Sequence, residues 1–424
     1  MTRTAAVAGG GIAGLVAARD LALAGWRVHL HERTDRLGGT VASARLDDGD
    51  GGSIALDVGA ESFATRTDAV AGLSDELGLE RVAPIAEGAW LVGPAGAHPL
   101  PRTGLLGIPG DLREPGVRAV LGRAGVLRAR LDRRMPVRVD DDASLAEVVI
   151  ARMGHRVLDR LVAPVAGGVY STPPERMPLA VAAPGLAQAM RETGSLGAAV
   201  ARQRAAAAGT AVAGLRGGMH TLVDALAADL ERFGATVHLG SELPGPGAAD
   251  LTVLAGAPAV EGAGSLVIVT LLLDAPQLDA RPRGTGVLVA RGLTAAKALT
   301  HSSAKWPWLA EMLPAGRHVV RLSYPSPALE GEELIDLALA EAGRLLGASL
   351  DRAALVSAHL QTWAAPAASA AHPLSPAADD RDDVVRIGTA VAGTGLARVV
   401  AHARSTLAER GLTSQERSGR MDDR

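Results

Sequence analysis

The chain has 424 residues, 48% hydrophobic and 21% charged, with a formal net charge of −3. That length accommodates two or three domains at a soft prior of about 150 residues each, the apolar share supplies a globular core, and the small net charge argues against nucleic acid as the main partner. Cysteine is absent, which excludes disulfides, thiolate metal sites and cysteine-linked flavin, and no metal cluster is expected.

The first forty residues carry the densest pattern. An apolar run at 4–8 leads into Gly9-Gly10-Gly11-Ile12-Ala13-Gly14, an amphipathic helical stretch follows, and a second apolar strand closes on Glu32-Arg33. Strand, G-x-G-x-x-G, helix and terminal acid make a dinucleotide fingerprint. Gly9 permits the tight turn, Gly11 lets backbone approach a pyrophosphate, and Gly14 lets the helix pack close to the sheet. The helix N-terminus would offer free N–H groups and partial positive charge to two phosphates. Glu32 would accept ribose hydroxyls and repel a 2′-phosphate, which favours FAD or NAD over NADP. Arg36, Gly38, Gly39 and Thr40 would reach the pyrophosphate from its other side, which suits the longer path of FAD. Residues 5–18 imitate an export segment, but three consecutive glycines favour a retained nucleotide fold, and the longest later apolar run, 266–273, is far short of the about 20 residues that span a bilayer. A cytoplasmic protein, at most peripheral to the membrane, is expected.

After an acidic loop, a strand runs into Gly59-Ala60-Glu61-Ser62, where glycine lets backbone approach a flat ligand and Glu61 and Ser62 offer polar contacts; a plain strand-to-helix turn is the alternative. Residues 67–79 read as a helix stopped by Gly78, and 89–101 as a hairpin. Between 102 and 138 lie nine arginines against Asp111, Glu114 and Asp132, an excess of nine minus three, or +6. A solvated face, an anionic-lipid surface and clamps for a polycarboxylate all fit this excess. Ser144 and Glu147 make a capping box opening a helix that ends at Pro164 and Gly167. Tyr170 follows, either a ligand-stacking ring or a core residue. Another helix starts at 192–196, and 204–213 reads as a flexible link.

Residues 214–219 form a glycine turn into a helix at 222–230, with strands at 235–239 and 250–258, so that the first lobe resumes after an interruption. Strands at 266–273, 286–290 and 319–324 follow. His301 and Lys305 lie between them, His301 reading as structural and Lys305 with Trp306 as a packed pair. A helix at 332–346 and a strand at 354–362 precede a last strand with Gly388, Thr394, Gly395 and Leu396 and a helix at 399–410. This repeats the physics of the N-terminus and would return a helix terminus to the cofactor. Residues 415–424 are a polar tail.

The blocks at 9–14, 32–33, 35–40, 57–63, 164–170, 192–196, 217–219, 301–306 and 388–396, in this order, resemble the flavin-dependent protoporphyrinogen and coproporphyrinogen III oxidases of the amine-oxidase-like FAD superfamily. The resemblance implies an α/β fold: a discontinuous Rossmann-like FAD-binding domain with an α+β substrate domain and a helical insert. The parts would be FAD-binding at 1–80, 205–262 and 375–412, a substrate hairpin at 81–100, the insert at 101–204, the substrate sheet at 263–374 and the tail at 413–424. It implies FAD as cofactor and a porphyrinogen substrate, with coproporphyrinogen III oxidised to coproporphyrin III and oxygen as acceptor. In relatives the insert faces the membrane; oligomeric state is left open. Four propionates give the arginine excess a use, and Tyr170, Arg102 and Lys305 are the expected substrate contacts. Protoporphyrinogen IX oxidation, an amine-oxidase-like flavoprotein and a diverged non-catalytic paralogue are the alternatives. An amine oxidase would want an aromatic cage, and no Phe or Tyr follows Trp363.

Overall fold

The computed structural model describes residues 2–140, 142–170, 173–206, 212–243, 249–256, 264–364 and 383–413, with the side chains of 169 and 170 outside that description. The tail at 415–424 lies outside it as well.

Three distant stretches of chain build one parallel sheet. Its strands lie in the order Thr236–Leu239, Arg27–Glu32, Thr4–Ala8, Leu251–Leu254, Val384–Arg386. The register sets Val7 between Leu30 and Val253. Inward residues of these strands share one core with helices Ile12–Leu23, His220–Arg232 and Leu396–Glu409. The expectation of an amphipathic first helix is corrected: residues 12–19 are all buried, Arg19 included. Packed between the sheet and two other helices, it has almost no solvent face on which polar residues are needed.

The second sheet has seven strands, in the order Leu355–Ala364, Ser265–Asp274, Arg317–Pro325, Ala298–His301, Gly286–Val289, Trp90–Gly93, Gly96–Pro99. Every pairing is antiparallel except that of Gly286–Val289 with Trp90–Gly93. Val267, Val269, Leu271 and Leu273 point to one side, where helix Gly331–Leu346 covers them. Leu272 and Val319 point to the other, toward Trp306, Trp308 and the hairpin of Ser43–Asp47 and Ser53–Asp57. A run apolar at both odd and even positions is what a central strand covered on both faces requires.

The insert has its own core, and two expectations for it need correction. The Ser144–Glu147 capping box is present, but helix Leu145–Met153 stops at Gly154, whose φ of 90° leaves the right-handed helical region. The chain then restarts and runs helically through Pro164 in a widened stretch, so Pro164 does not end it. Glu192 belongs to the end of helix Leu186–Thr193, and the next helix, Leu196–Ala206, occupies part of the presumed link. Val212–Leu215 is a strand, pairing antiparallel with Phe63–Ala64 and Arg81–Val82. Residues 207–211 lie outside the described residues. Asp132, one of the three acids set against the arginines, is buried and accepts from Arg152 Nε (2.6 Å) and from the N–H groups of Leu196 (3.0 Å) and Gly197 (2.9 Å). It thus caps Leu196–Ala206 and is unavailable to the surface arginines.

Candidate functional site

The glycine loop leaves strand Thr4–Ala8 with Gly9 at φ 106°, and Gly9 N–H donates to the His31 carbonyl (2.8 Å). A Cβ on Gly14 would lie 1.8 Å from the Gly9 carbonyl oxygen, so only glycine lets the helix sit so close. At Gly11 a Cβ would meet nothing within 4 Å. Gly11 also precedes helix Ile12–Leu23, which has no side-chain cap, so its first-turn N–H groups are left without a capping side chain. Ile12 and Ala13 are buried behind them. Gly38 N–H donates to the Gly10 carbonyl (2.8 Å), and a Cβ on Gly39 would come within 3.3 Å of Gly11 Cα. The second glycine pair is therefore laid directly on the first.

Glu32 ends its strand beside this loop. Its carboxylate accepts from Gly10 N–H (2.7 Å), Thr34 N–H (2.8 Å) and the Thr34 hydroxyl (2.8 Å). Burial alone would raise its pKa, but these bonds hold the carboxyl below its ordinary value, so it is an anion at neutral pH. Arg33 is exposed beyond it. Arg36 donates to the Leu37 carbonyl (3.3 Å) and stands 5.4 Å over the Trp363 ring, between the two sheets. The Thr40 carbonyl accepts from Ala60 N–H (2.9 Å), and a Cβ on Gly59 would be 1.9 Å from that oxygen. Two segments read separately in the sequence thus form one backbone seam.

Glu61 and Ser62 continue that seam. The Glu61 carboxylate lies 3.3 Å from Lys305 Nζ and 3.6 Å from Arg321 Nη1, and Arg321 Nη2 donates to the Gly59 carbonyl at 2.6 Å. Burial by itself pushes the Glu61 carboxyl up; Lys305 and Arg321 hold it down at about 2. Nearby, Asp57 accepts from Met219 N–H (2.7 Å), His220 N–H (3.1 Å) and His220 Nδ1 (3.0 Å), and that carboxylate raises the pKa of His220 above its ordinary value. Trp363 Nε1 donates to the Val58 carbonyl (3.1 Å). A small cleft lies against these groups, with Leu56, Leu215, Leu309 and Val319 as apolar wall.

At the far end of the chain, Gly388 has φ 89°, and a Cβ there would be 2.7 Å from the Ala255 carbonyl oxygen and 3.5 Å from Ala13 Cβ. Gly395, at φ 110° and open around its Cα, precedes helix Leu396–Glu409, which also lacks a side-chain cap. Thr394 is half-buried before it, and Leu396 packs on the nucleotide core. The first and last helices pack side by side. Arg404 joins Asp20 (3.1 Å) to Glu76 (2.7 Å), while Arg19 joins Asp229 (2.6 Å) to Glu76 (2.8 Å). These ion pairs tie both helices to Ala69–Glu76 and His220–Arg232, fixing the two open N-termini relative to each other.

The expected substrate residues fare differently. Lys305 is in the seam cluster. Arg102 has an exposed side chain, its backbone held by Glu114 (2.8 Å) and Arg204 (3.2 Å). The Tyr170 side chain lies outside the described residues. Arg128 is spent on the carbonyls of Ile150, Ala151 and Arg152, at 2.9–3.1 Å, and Arg113 on Asp111 (3.2 Å), whereas Arg118, Arg123, Arg130, Arg133, Arg134 and Arg138 are exposed. Sequence reasoning missed Arg321, Trp363 and the Asp57–His220 pair. Arg321 alone among these had a legible sign, a charge set between the apolar Val319, Val320 and Leu322.

His301 stands on the opposite face of the second sheet, paired across strands with Val320. Its Nε2 is 3.1 Å from His318 Nδ1, and His318 Nε2 is 3.0 Å from Asp279 Oδ1. With the Asp279 bond fixing the His318 tautomer, His301 acts as donor between the rings. Burial above all lowers both histidines, His301 to about 3. Each therefore binds its proton more readily in the unfolded chain, whose ordinary value is 6.5. Their contribution is whole above about pH 6.5 and is lost as pH falls toward 3. Urea midpoints should decline over that window, and His301→Gln should flatten the decline; equal slopes in the two proteins would contradict this.

The family model for flavin containing amine oxidoreductases matches residues 12–244. A coproporphyrinogen III oxidase of Mycobacterium leprae is 30% identical over 362 residues, covering 76% of this chain and 77% of its own. One of Mycobacterium tuberculosis (strain H37Rv) is 32% identical over 344 residues, covering 72% and 74%. The crystal structure of a protein from Exiguobacterium sp. 255-15, provisionally assigned as a protoporphyrinogen oxidase, superposes with a TM-score of 0.78 at 23% identity over 96% of this chain and 98% of that one.

Proposed function

We propose a specific oxidation for this chain, which belongs to the flavin containing amine oxidoreductase family and uses FAD as its cofactor: conversion of coproporphyrinogen III to coproporphyrin III with oxygen as acceptor. The chain is an oxidoreductase of porphyrin and heme biosynthesis. The observation that carries the choice of substrate is the 30–32% identity to two coproporphyrinogen III oxidases over roughly three-quarters of the chain. Three two-electron cycles would remove six electrons, and three oxygen molecules would leave as hydrogen peroxide.

When bound, the flavin ring supplies the hydride acceptor. The chain's own residues bind and orient. Gly9, Gly10, Gly11, Ile12, Ala13 and Gly14, with Gly38, Gly39 and Thr40, would hold the pyrophosphate by backbone, and Glu32 the adenosine ribose, with Arg33 and Arg36 as flanking cations. Gly59, Ala60, Glu61 and Ser62 would bring backbone against the ring, and Gly388, Thr394, Gly395 and Leu396 a second helix terminus. The open environment of Gly11 and the two uncapped helix starts fit such a group. No side chain is assigned as acid or base, because a porphyrinogen needs positioning more than proton shuttling. Lys305, fixed by Glu61, would face the substrate, with Arg102 and Tyr170 further out.

We also assign the insert a peripheral contact with an anionic membrane. Leu127 and Leu131, one turn apart, are 61% and 45% exposed among the exposed Arg123, Arg130, Arg133 and Arg134. Among the described residues no helix is long and apolar enough to cross a bilayer.

Anaerobic mixing of the FAD-loaded protein with coproporphyrinogen III should bleach the flavin, and admitting oxygen should restore it with porphyrin fluorescence. Bleaching by a panel of amines, with porphyrinogens inert, would overturn the assignment.

A further inference from the structure

Three histidines that the reaction above does not use meet at the edge of the parallel sheet. Val28 and Leu30 alternate into the helix-packed core, so His29 and His31 point to the sheet's other face. The edge strand Thr236–Leu239 sets His238 opposite His31, and all three side chains are half-buried. The rings of His29 and His31 each lie within 16° of parallel to that of His238, with centroids 5.7 and 4.6 Å from it.

Two ring nitrogens stand as a shared ion would set them. His29 Nδ1 is 3.4 Å from His238 Nε2, longer than the about 2.7–3.2 Å of an ordinary N–H hydrogen bond. Two imidazole nitrogens on one tetrahedral ion, each at about 2.0–2.1 Å, are about 3.3–3.4 Å apart. Among the described residues no group of three or more His, Asp or Glu side chains is set to hold a metal, so the pair would ligate by itself with water in the remaining positions. His31 buttresses it. The Ser241 hydroxyl donates to the Glu242 carbonyl (3.3 Å) and so accepts from His31 Nδ1–H (3.0 Å), which fixes the ring stacked on His238. Burial above all, then the neighbouring His238 and His29, lower the pKa of His31, so no imidazolium there repels a cation at neutral pH.

We propose that His29 and His238 form a two-histidine chelate for a divalent transition ion such as zinc, bracing the edge strand Thr236–Leu239 against Arg27–Glu32. Imidazole suits such ions, whereas magnesium demands oxygen ligands.

The probe is zinc chloride, titrated calorimetrically into untagged, FAD-loaded protein freed of metal by a chelator, with magnesium chloride as control. One saturable zinc site is expected, and no magnesium heat. Loss of an outer-shell partner already costs about 10–100-fold in metal affinity, so His238→Gln and His29→Gln, each deleting a ligand, should weaken zinc at least about tenfold. His98→Gln, whose ring is bonded elsewhere to the Ala95 carbonyl (2.9 Å), should bind as wild type does. Zinc should also raise the melting temperature of the wild type and not that of His238→Gln. Absence of saturable zinc heat, equal heat with magnesium, an equal loss in His98→Gln, or wild-type affinity in either folded ligand variant would overturn the proposal. Having two ligand variants keeps the test decisive should one fail to fold, and the result stands whether or not the chain oxidises porphyrinogens.

Discussion

Gly14→Ala should purify without the yellow absorbance of bound flavin. The added methyl would sit 1.8 Å from the Gly9 carbonyl oxygen, an atom of backbone that cannot swing aside. Gly9 has little room to yield, being at φ 106°, with its own Cβ position 3.1 Å from Gly256 N. Relief would have to part the loop from the helix, pulling the first-turn N–H groups from the pyrophosphate position. The expected loss of FAD affinity is more than about a hundredfold, or about 2.7 kcal/mol. Gly11→Ala is the informative companion, because Gly11 has φ −70° and nothing within 4 Å of a Cβ. That variant should fold with an unchanged melting temperature and still bind FAD weakly, since its methyl would occupy ligand space alone. Stoichiometric flavin in both variants would remove the cofactor from this loop.

Glu61→Gln should be the most damaging conservative change at the seam. It leaves Lys305 and Arg321 facing each other in a buried site without their shared anion, and removing one partner of a buried ion cluster costs about 3–5 kcal/mol. The Gly59 backbone, held by Arg321 at 2.6 Å, should shift with it, so activity should fall along with stability. The effect has a pH signature. Folding lowers the Glu61 carboxyl from 4.5 to about 2. A lowered carboxyl stabilises the fold fully above its unfolded value and loses that contribution as acid protonates it. The gap in urea midpoint between wild type and Glu61→Gln should therefore be constant from pH 7 to about 5 and narrow between 4.5 and 2. A gap independent of pH would show that the charge of Glu61 is not what holds the seam.

Much of the glycine loop and its flanking elements was readable before any coordinates, because their requirements are local. A glycine is needed wherever two backbones touch or φ is positive, and Gly9, Gly14, Gly59 and Gly388 announce such places individually. Helix starts are equally local, as the Ser144–Glu147 box illustrates. The misreadings also have local causes. Pro164 normally closes a helix, but the widened turn around it dispenses with the bond proline cannot donate. An alanine-rich run carries no periodic contrast, so the last residues of helix Leu196–Ala206 and the start of strand Val212–Leu215 passed for a link.

Taken alone, the amino-acid order determined the dinucleotide fold and its FAD preference, since turn glycines, an acid at the strand end and apolar periodicity act within about forty residues, while the flavoenzyme family was legible only as a resemblance spread over blocks from 9–14 to 388–396. Tertiary structure alone decided how the charges pair. Arg321 meets Glu61 across 260 positions of chain, Arg404 meets Asp20 across 384, and the arginine cluster divides into helix caps and a free basic surface. Pairing of side chains so far apart depends on which strand faces which loop, and no local preference encodes that.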